Sequence, residues 1–109
     1  MTIKQLLEKT DFKLITKEND NDISSVYTCD LLSIVMSKAT AGCAWITVMG
    51  NVNSIAVAVL CDISCIILAD GADLDTTALE KAKNQNVCVL KSNQPVFETA
   101  LTVHNLLNA

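Results

Sequence analysis

The segment 44–70, AWITVMGNVNSIAVAVLCDISCIILAD, constrains the fold of this chain more than any other stretch. A β-prone run, Ala44–Met49, stops at Gly50-Asn51, and an apolar stretch of helical length, Val52–Cys61, follows it. A second apolar run, Cys65–Leu68, has the length of a buried strand. Two adjacent strands joined through a helix must run parallel, because a crossover of this length cannot close a hairpin. The segment therefore predicts a β-α-β unit beside which the other elements pack.

The sequence on either side predicts further helices and strands. Before the unit we expect a helix that starts at Thr2 with Gln5 at capping-box spacing, strands over Phe12–Thr16 and Ser24–Cys29, and a helix from Asp30 to about Lys38. After it we expect a helix capped by Asp75, a strand over Val87–Leu90, and a last helix capped by Ser92 or Asn93 with Pro95 in its first turn. We therefore predict a single α/β domain over residues 1–109, with a mainly parallel sheet of about five strands and helices on both faces.

Composition narrows the classes of function. All eight basic residues are lysine and the net charge is −4. Arginine is the preferred contact for phosphate and guanine, so nucleic acid is not an expected partner. The five cysteines are an odd number and no signal peptide precedes them, which favours the reducing cytoplasm over a secreted disulfide framework. The longest apolar region, Val52–Ala69, is interrupted by polar residues and is too polar to span a membrane.

Three short patterns resemble the DRTGG-domain family. They are Tyr27 with Asp30-Leu31-Leu32-Ser33 and Val35-Met36, then Gly42 with Trp45-Ile46-Thr47, then Asn53 with Ala56-Val57-Ala58. The chain departs from the family where its two name-giving glycines are usual, since Ser25 and Val26 stand there. The family is similar to the N-terminal domain of HPr kinase/phosphorylase, occurs beside CBS domains, and has stand-alone copies encoded near iron hydrogenase genes. The resemblance implies a regulatory or scaffold role without established catalysis.

Catalytic signals are weak. Relatives carry the label serine kinase through the kinase relative, but this chain has no G-x-x-x-x-G-K-[ST] phosphate loop. Its one histidine, His104, lies on an apolar helix, which is typical of a partly buried structural histidine. Cys61 and Cys65 are too widely spaced to indicate a metal site by themselves, and the cysteines are expected to be buried free thiols. We therefore expect no enzyme, no metal and no cofactor.

Topology suggests one place for a ligand, because ligands in open parallel sheets gather beyond the carboxyl ends of the strands. A helix opened by Gly50-Asn51 would also present free N–H groups to an anion. The candidate binding residues are Tyr27, Asp30, Gly50, Asn51, Asn53 and Asp70. A nucleotide or anionic metabolite would suit them. The alternative is that the polar residues are only helix caps.

Apolar helices give a second expectation. The helix over Val52–Cys61 is apolar almost all round, and Leu31–Met36 is similar, so one sheet face cannot cover both. We therefore expect a homodimer, or docking to a protein such as a kinase, a CBS-domain protein or a hydrogenase-system component. The expected interface residues are Leu31, Leu32, Val35, Ile55 and Val59. The alternative is a thick monomer core. The predicted function is thus a non-catalytic regulatory or scaffold module, with small-ligand sensing as the alternative.

Overall fold

The computed structural model describes residues 1–109 and contains five helices and five strands. The helices are α1 (Ile3–Lys9), α2 (Leu32–Lys38), α3 (Val52–Leu60), α4 (Thr76–Asn84) and α5 (Val96–Leu107). The strands are β1 (Lys13–Leu14), β2 (Ser25–Thr28), β3 (Cys43–Thr47), β4 (Cys65–Leu68) and β5 (Val89–Lys91).

One sheet holds all five strands in the order β1-β5-β4-β3-β2. β3 and β4 are parallel neighbours, with Trp45 opposite Ile66, so the predicted β-α-β unit is confirmed. The expectation of a mainly parallel sheet is corrected to a mixed sheet, because β1 pairs antiparallel with β5. β1 precedes the helix-strand alternation and reaches the sheet without a β-α-β crossover, so the rule that makes the other neighbours parallel does not apply to it.

The two faces of the sheet carry two separate apolar cores. Successive side chains of a strand point to opposite faces, so Ala44 and Ile46 join one core while Cys43 and Trp45 join the other. The first core is completed by α1 and α5. The second is completed by α2, α3 and α4, which share a face because the three parallel crossovers step across the sheet in one direction with one hand. Helices on both faces are therefore confirmed.

The predicted helix starts are partly right. Thr2 and Gln5 form the capping box of α1, and Asp75 accepts the Ala78 N–H at the start of α4. Asp30 was expected to cap α2, but Leu31 is the cap residue and has no capping side-chain bond. The last helix was expected to include Pro95, yet Pro95 is its cap residue and α5 begins at Val96. Asp30 and Ser92 are both engaged in contacts with other segments, which are described below.

Candidate functional site

Asp30 connects the ends of two neighbouring strands. Its Oδ1 accepts the Thr47 hydroxyl proton at 2.7 Å and the Val48 N–H at 3.0 Å. Beside it, the Trp45 indole N–H donates to the Cys29 carbonyl at 2.8 Å. These hydrogen bonds join the segment after β2 to β3 and to the residue that follows it. Asp30 was predicted to bind a ligand, but its Oδ1 already accepts two hydrogen bonds within the protein.

Gly50 and Asn51 are also used structurally. A Cβ at Gly50 would meet the backbone of Asp73, and the Asp75 N–H donates to the Gly50 carbonyl at 3.2 Å. The Asn51 side chain accepts the N–H groups of Asn53 and Ser54 at 3.0 and 3.1 Å. Two of the N–H groups that an anion would use at the start of α3 therefore already have a partner in the protein.

Asp70 lies in the turn after β4, where its φ of 55° places it in the left-handed region. Its N–H donates to the Gln94 carbonyl at 2.8 Å, and the Gly71 N–H donates to the Ser92 carbonyl at 2.9 Å. The segment after β5 thus packs against the turn after β4. These contacts hold the strand-end loops together.

The structure places five of the six predicted ligand residues in or directly after the strand-end loops, but none of them lines a concave surface. The five are Asp30, Gly50, Asn51, Asn53 and Asp70. The surface has three depressions, and those five residues line none of them. Only the sixth, Tyr27, contributes to one.

Tyr27 borders an apolar groove between α5 and the edge strand β2. This α5–β2 groove has a volume of about 450 Å³. The pKa of the Tyr27 hydroxyl is raised, mainly by partial burial and to a smaller extent by the nearby Cys29 thiol. Phe97 and Leu101 project from α5 with 68% and 43% of their surface exposed. The groove is lined by Val26, Tyr27, Thr28, Phe97, Ala100, Leu101 and His104.

Sequence reasoning missed this groove. The available signal was the excess of apolar residues around the last helix, more than one buried face requires. Pairing that helix with β2 needs the tertiary structure, because α5 and β2 are about seventy residues apart in the chain.

A second, polar depression of about 360 Å³ lies between the end of α1 and the segment before α5. The buried Ser92 hydroxyl is within 2.8 Å of the Thr99 hydroxyl, and the Ser92 Oγ accepts the Gln94 N–H. No buried side-chain nitrogen or oxygen in the protein lacks a hydrogen-bond partner. The depression is lined by Lys9, Thr10, Asp11, Phe12, Ser92, Asn93, Gln94 and Thr102.

The outer side of α2 and α3 carries most of the large exposed apolar side chains. We call this the α2–α3 surface; its residues are Leu31, Ile34, Met36, Val59 and Leu60, with Leu60 the most exposed at 71%. Of the predicted interface residues, Leu31 and Val59 belong to it and Leu32 is half-buried. Val35 and Ile55 are not surface residues, since both are fully buried in the second core. Their prediction as interface residues is wrong because each points from its helix toward the sheet.

The cysteines are free thiols, three buried and two half-buried. Burial raises the pKa of the Cys43 thiol to about 11 and that of Cys88 to about 12, and it raises the pKa of Cys65 as well. No three histidine, cysteine, aspartate or glutamate side chains are grouped so that they could hold a metal ion. No helix has both the length and the apolar character needed to cross a membrane.

No protein-family model matches the chain, and no curated protein matches it. Among solved structures, it is similar to the CBS and DRTGG domains of the regulatory region of Clostridium perfringens pyrophosphatase, crystallised with the activator diadenosine tetraphosphate. The two share a fold. The TM-score is 0.71 at 13% sequence identity, and the match covers 94% of this chain but 45% of the other. The chain thus spans less than half the length of that neighbour, which contains a DRTGG domain, in agreement with the resemblance seen in the sequence.

Proposed function

We propose that this protein is a non-catalytic regulatory module of the DRTGG type that acts in the cytoplasm through protein–protein contact, and that it forms a homodimer through the α2–α3 surface. The observation that carries the proposal is the set of five exposed apolar side chains on two helices that pack side by side. Contiguous apolar surface on a small domain is typical of an interaction site.

The monomer does not need these side chains for its own core. Each sheet face already has a closed apolar cluster, and Val35 and Ile55 close the second one beneath α2 and α3. Leu31, Met36 and Leu60 each leave half or more of their surface in water. Covering apolar surface contributes roughly 25 cal/mol per Å², so a partner on these helices would be favoured.

The regulatory part of the proposal is supported by the sequence patterns and by the shared fold with a regulatory region. The non-catalytic part is supported by the missing phosphate loop and by the ordinary structural roles of Asp30 and Asn51. A kinase, a CBS-domain protein or a hydrogenase-system protein would be the regulated partner.

Light scattering on a sizing column, over a concentration series, tests the dimer. We expect twice the monomer mass of 11.7 kDa for the wild type and the monomer mass for Leu60→Glu. Leu101→Glu is the matched control, because Leu101 is also an exposed leucine on a helix but lies on the other face of the sheet. A monomeric wild type at high concentration would contradict the proposal, and so would a dimer unaffected by Leu60→Glu and by Met36→Glu.

Small-ligand sensing is the second candidate. The observation that favours it is that the neighbouring regulatory region was crystallised with a nucleotide activator. Thermal unfolding with diadenosine tetraphosphate, ATP and phosphorylated metabolites tests it. A ligand at about one hundred times its Kd stabilises the folded state by about 2.7 kcal/mol, which would raise the melting temperature by about 11 °C. An unchanged melting temperature with every ligand at millimolar concentration would remove this candidate.

A further inference from the structure

We propose that the α5–β2 groove binds an extended segment of another protein, which adds to the sheet as a sixth strand beside β2. The inference shares one premise with the proposed function, namely that the protein acts through contacts with other proteins. It concerns the sheet edge and α5, whereas the proposed dimer uses α2 and α3. The two proposals can therefore fail separately.

β2 offers unpaired backbone groups. It is the last strand of the sheet and pairs only with β3. Trp45 and Thr47 turn their backbone groups toward β4, so Ala44 and Ile46 turn theirs toward β2. Because Val26 lies opposite Ala44 and Thr28 opposite Ile46, the backbone groups of Val26 and Thr28 point away from β3. Such an edge is a template for another extended chain.

The N-terminal residues of the protein already pair with the segment that directly precedes β2. The Ile23 N–H donates to the Met1 carbonyl at 2.7 Å, and Thr2 forms an antiparallel bridge with Asp22. This contact stops before Ser25, where β2 begins. The backbone here is therefore extended and accessible enough for strand pairing, and the existing bridge shows that an antiparallel neighbour fits.

The groove supplies pockets for side chains beside that edge. Phe97 and Leu101 of α5 form its outer wall, and Val26 and Thr28 of β2 form its floor. Every second side chain of an added strand would point toward α5, and a volume of about 450 Å³ accommodates apolar side chains there. A strand edge beside an apolar groove is a recurring arrangement for peptide recognition, in which the backbone gives affinity and the pockets give specificity.

Charge at the two ends of β2 selects the occupant. Asp22 precedes the strand and Asp30 follows it, and both are exposed. Neither is in an ion pair, since the single salt bridge of the protein joins Lys91 and Asp73. An added segment with lysine or arginine at its ends would therefore be favoured.

Antiparallel pairing of two β2 strands would instead bring Asp22 of each copy near Asp30 of the other, and like charges across strands are destabilising. The occupant is thus a different protein, with a segment that alternates apolar and polar residues between basic ends.

The test is selection from a display library of random short peptides with the whole protein as bait. We expect enrichment of alternating apolar sequences flanked by lysine or arginine. A synthetic peptide from the selection should slow hydrogen exchange at the Val26 and Thr28 amides, because both would donate to the added strand.

Two variants disrupt the site by different means. Thr28→Pro removes an edge N–H that points away from β3, and proline is tolerated at such an edge position. Leu101→Glu places a charge in the groove. Each should weaken the selected peptide about tenfold or more, as expected for the loss of a central contact. Leu60→Glu, on the α2–α3 surface, should bind as the wild type does, whether or not it dimerises.

Four outcomes would overturn the inference. They are no enrichment above the empty support, enriched peptides that are acidic, wild-type peptide affinity in both Thr28→Pro and Leu101→Glu when both melt as the wild type does, or a selected peptide that leaves the Val26 and Thr28 amides unprotected. A β2–β2 homodimer, seen as a mass change on Thr28→Pro, would also refute it, since the occupant would be a second copy.

Discussion

Gly50→Ala is the substitution whose effect the structure defines most directly. Gly50 was predicted to approach a ligand, but its Cα faces the backbone of the loop after β4. An added Cβ would meet the Asp73 carbonyl oxygen, would lie 3.0 Å from the Asp73 carbonyl carbon and would lie 3.3 Å from the Leu74 Cα. All three atoms belong to the backbone, so no side chain can rotate away to make room.

The expected cost follows from that contact alone, because Gly50 is not in the left-handed region and alanine has no conformational penalty there. Overpacking of one methyl group against backbone costs about 2 kcal/mol. For a domain of about one hundred residues, this lowers the melting temperature by about 8 °C. The loop would have to shift, and the Asp75 N–H bond to the Gly50 carbonyl would lengthen with it.

Thermal unfolding followed by circular dichroism measures the effect. Gly71→Asn is the matched control. Its Cβ would make only an ordinary 3.5 Å contact with Asn93, and asparagine tolerates the φ of 69° found there. The left-handed φ still strains asparagine, so we expect a loss of about 1 kcal/mol for this control, half of that expected for Gly50→Ala. Should Gly50→Ala melt with the wild type, the close approach of the two loops would not be a constraint, and the structural role assigned to Gly50 would be refuted.

Four further predictions concern hydrogen bonds and thiols. Thr47→Val removes the hydroxyl that donates to Asp30 and accepts the Met49 N–H, and should lower the free energy of unfolding by about 1–2 kcal/mol in urea titrations; a change below about 0.5 kcal/mol would show that water replaces it. Asp75→Ala removes the side chain that caps α4 and should lower the free energy of unfolding by about 1 kcal/mol in the same titration. Thr76→Ala is the control, because the neighbouring Thr76 side chain is not the cap of the helix. Thiol reagents at neutral pH should label only the half-buried Cys29 and Cys61 in the folded protein, and all five cysteines after unfolding. Burial raises the pKa of the Cys43 thiol to about 11, above the ordinary 9.0 of an unfolded thiol. The contribution of this thiol to stability is therefore complete below pH 9.0 and is lost as the pH rises toward 11. Urea midpoints measured from pH 8 to 11 should fall in the wild type, and an equal fall in Cys43→Ala would contradict this.

The sequence predicted the parts of the fold that depend on local pattern. The β3-α3-β4 unit, the Thr2–Gln5 capping box and the Asp75 cap follow from hydrophobic periodicity and short-range hydrogen bonding. The antiparallel pairing of β1 could not be predicted from the sequence. Only Lys13 and Leu14 form this strand, and their partners in β5 lie near the other end of the chain.

The candidate sites show the same division. Five of the predicted polar and glycine residues lie in or directly after the strand-end loops, but the hydrogen bonds of Asp30 and Asn51 are made within the protein. Asp30 illustrates the reason: a residue directly before a helix is a reasonable cap, yet the Thr47 hydroxyl and the Val48 N–H of the neighbouring strand end compete for the same oxygen. The sequence cannot show which partner is within reach. The apolar excess was predicted on α2 and α3, whereas burial of Val35 and Ile55 shows how much of it the monomer uses itself.

Apart from Leu14 on β1, the large exposed apolar residues form two groups on opposite faces of the sheet, and this separation bears on both proposals. The α2–α3 surface lies over the second core, and Phe97 and Leu101 lie on a helix that covers the first. A module that binds its own copy on one face and an extended segment at the other would bring two such segments together without either contact altering the other. The sheet edge at β5 is closed by β1, while the edge at β2 is open, so the free edge is available to that second partner.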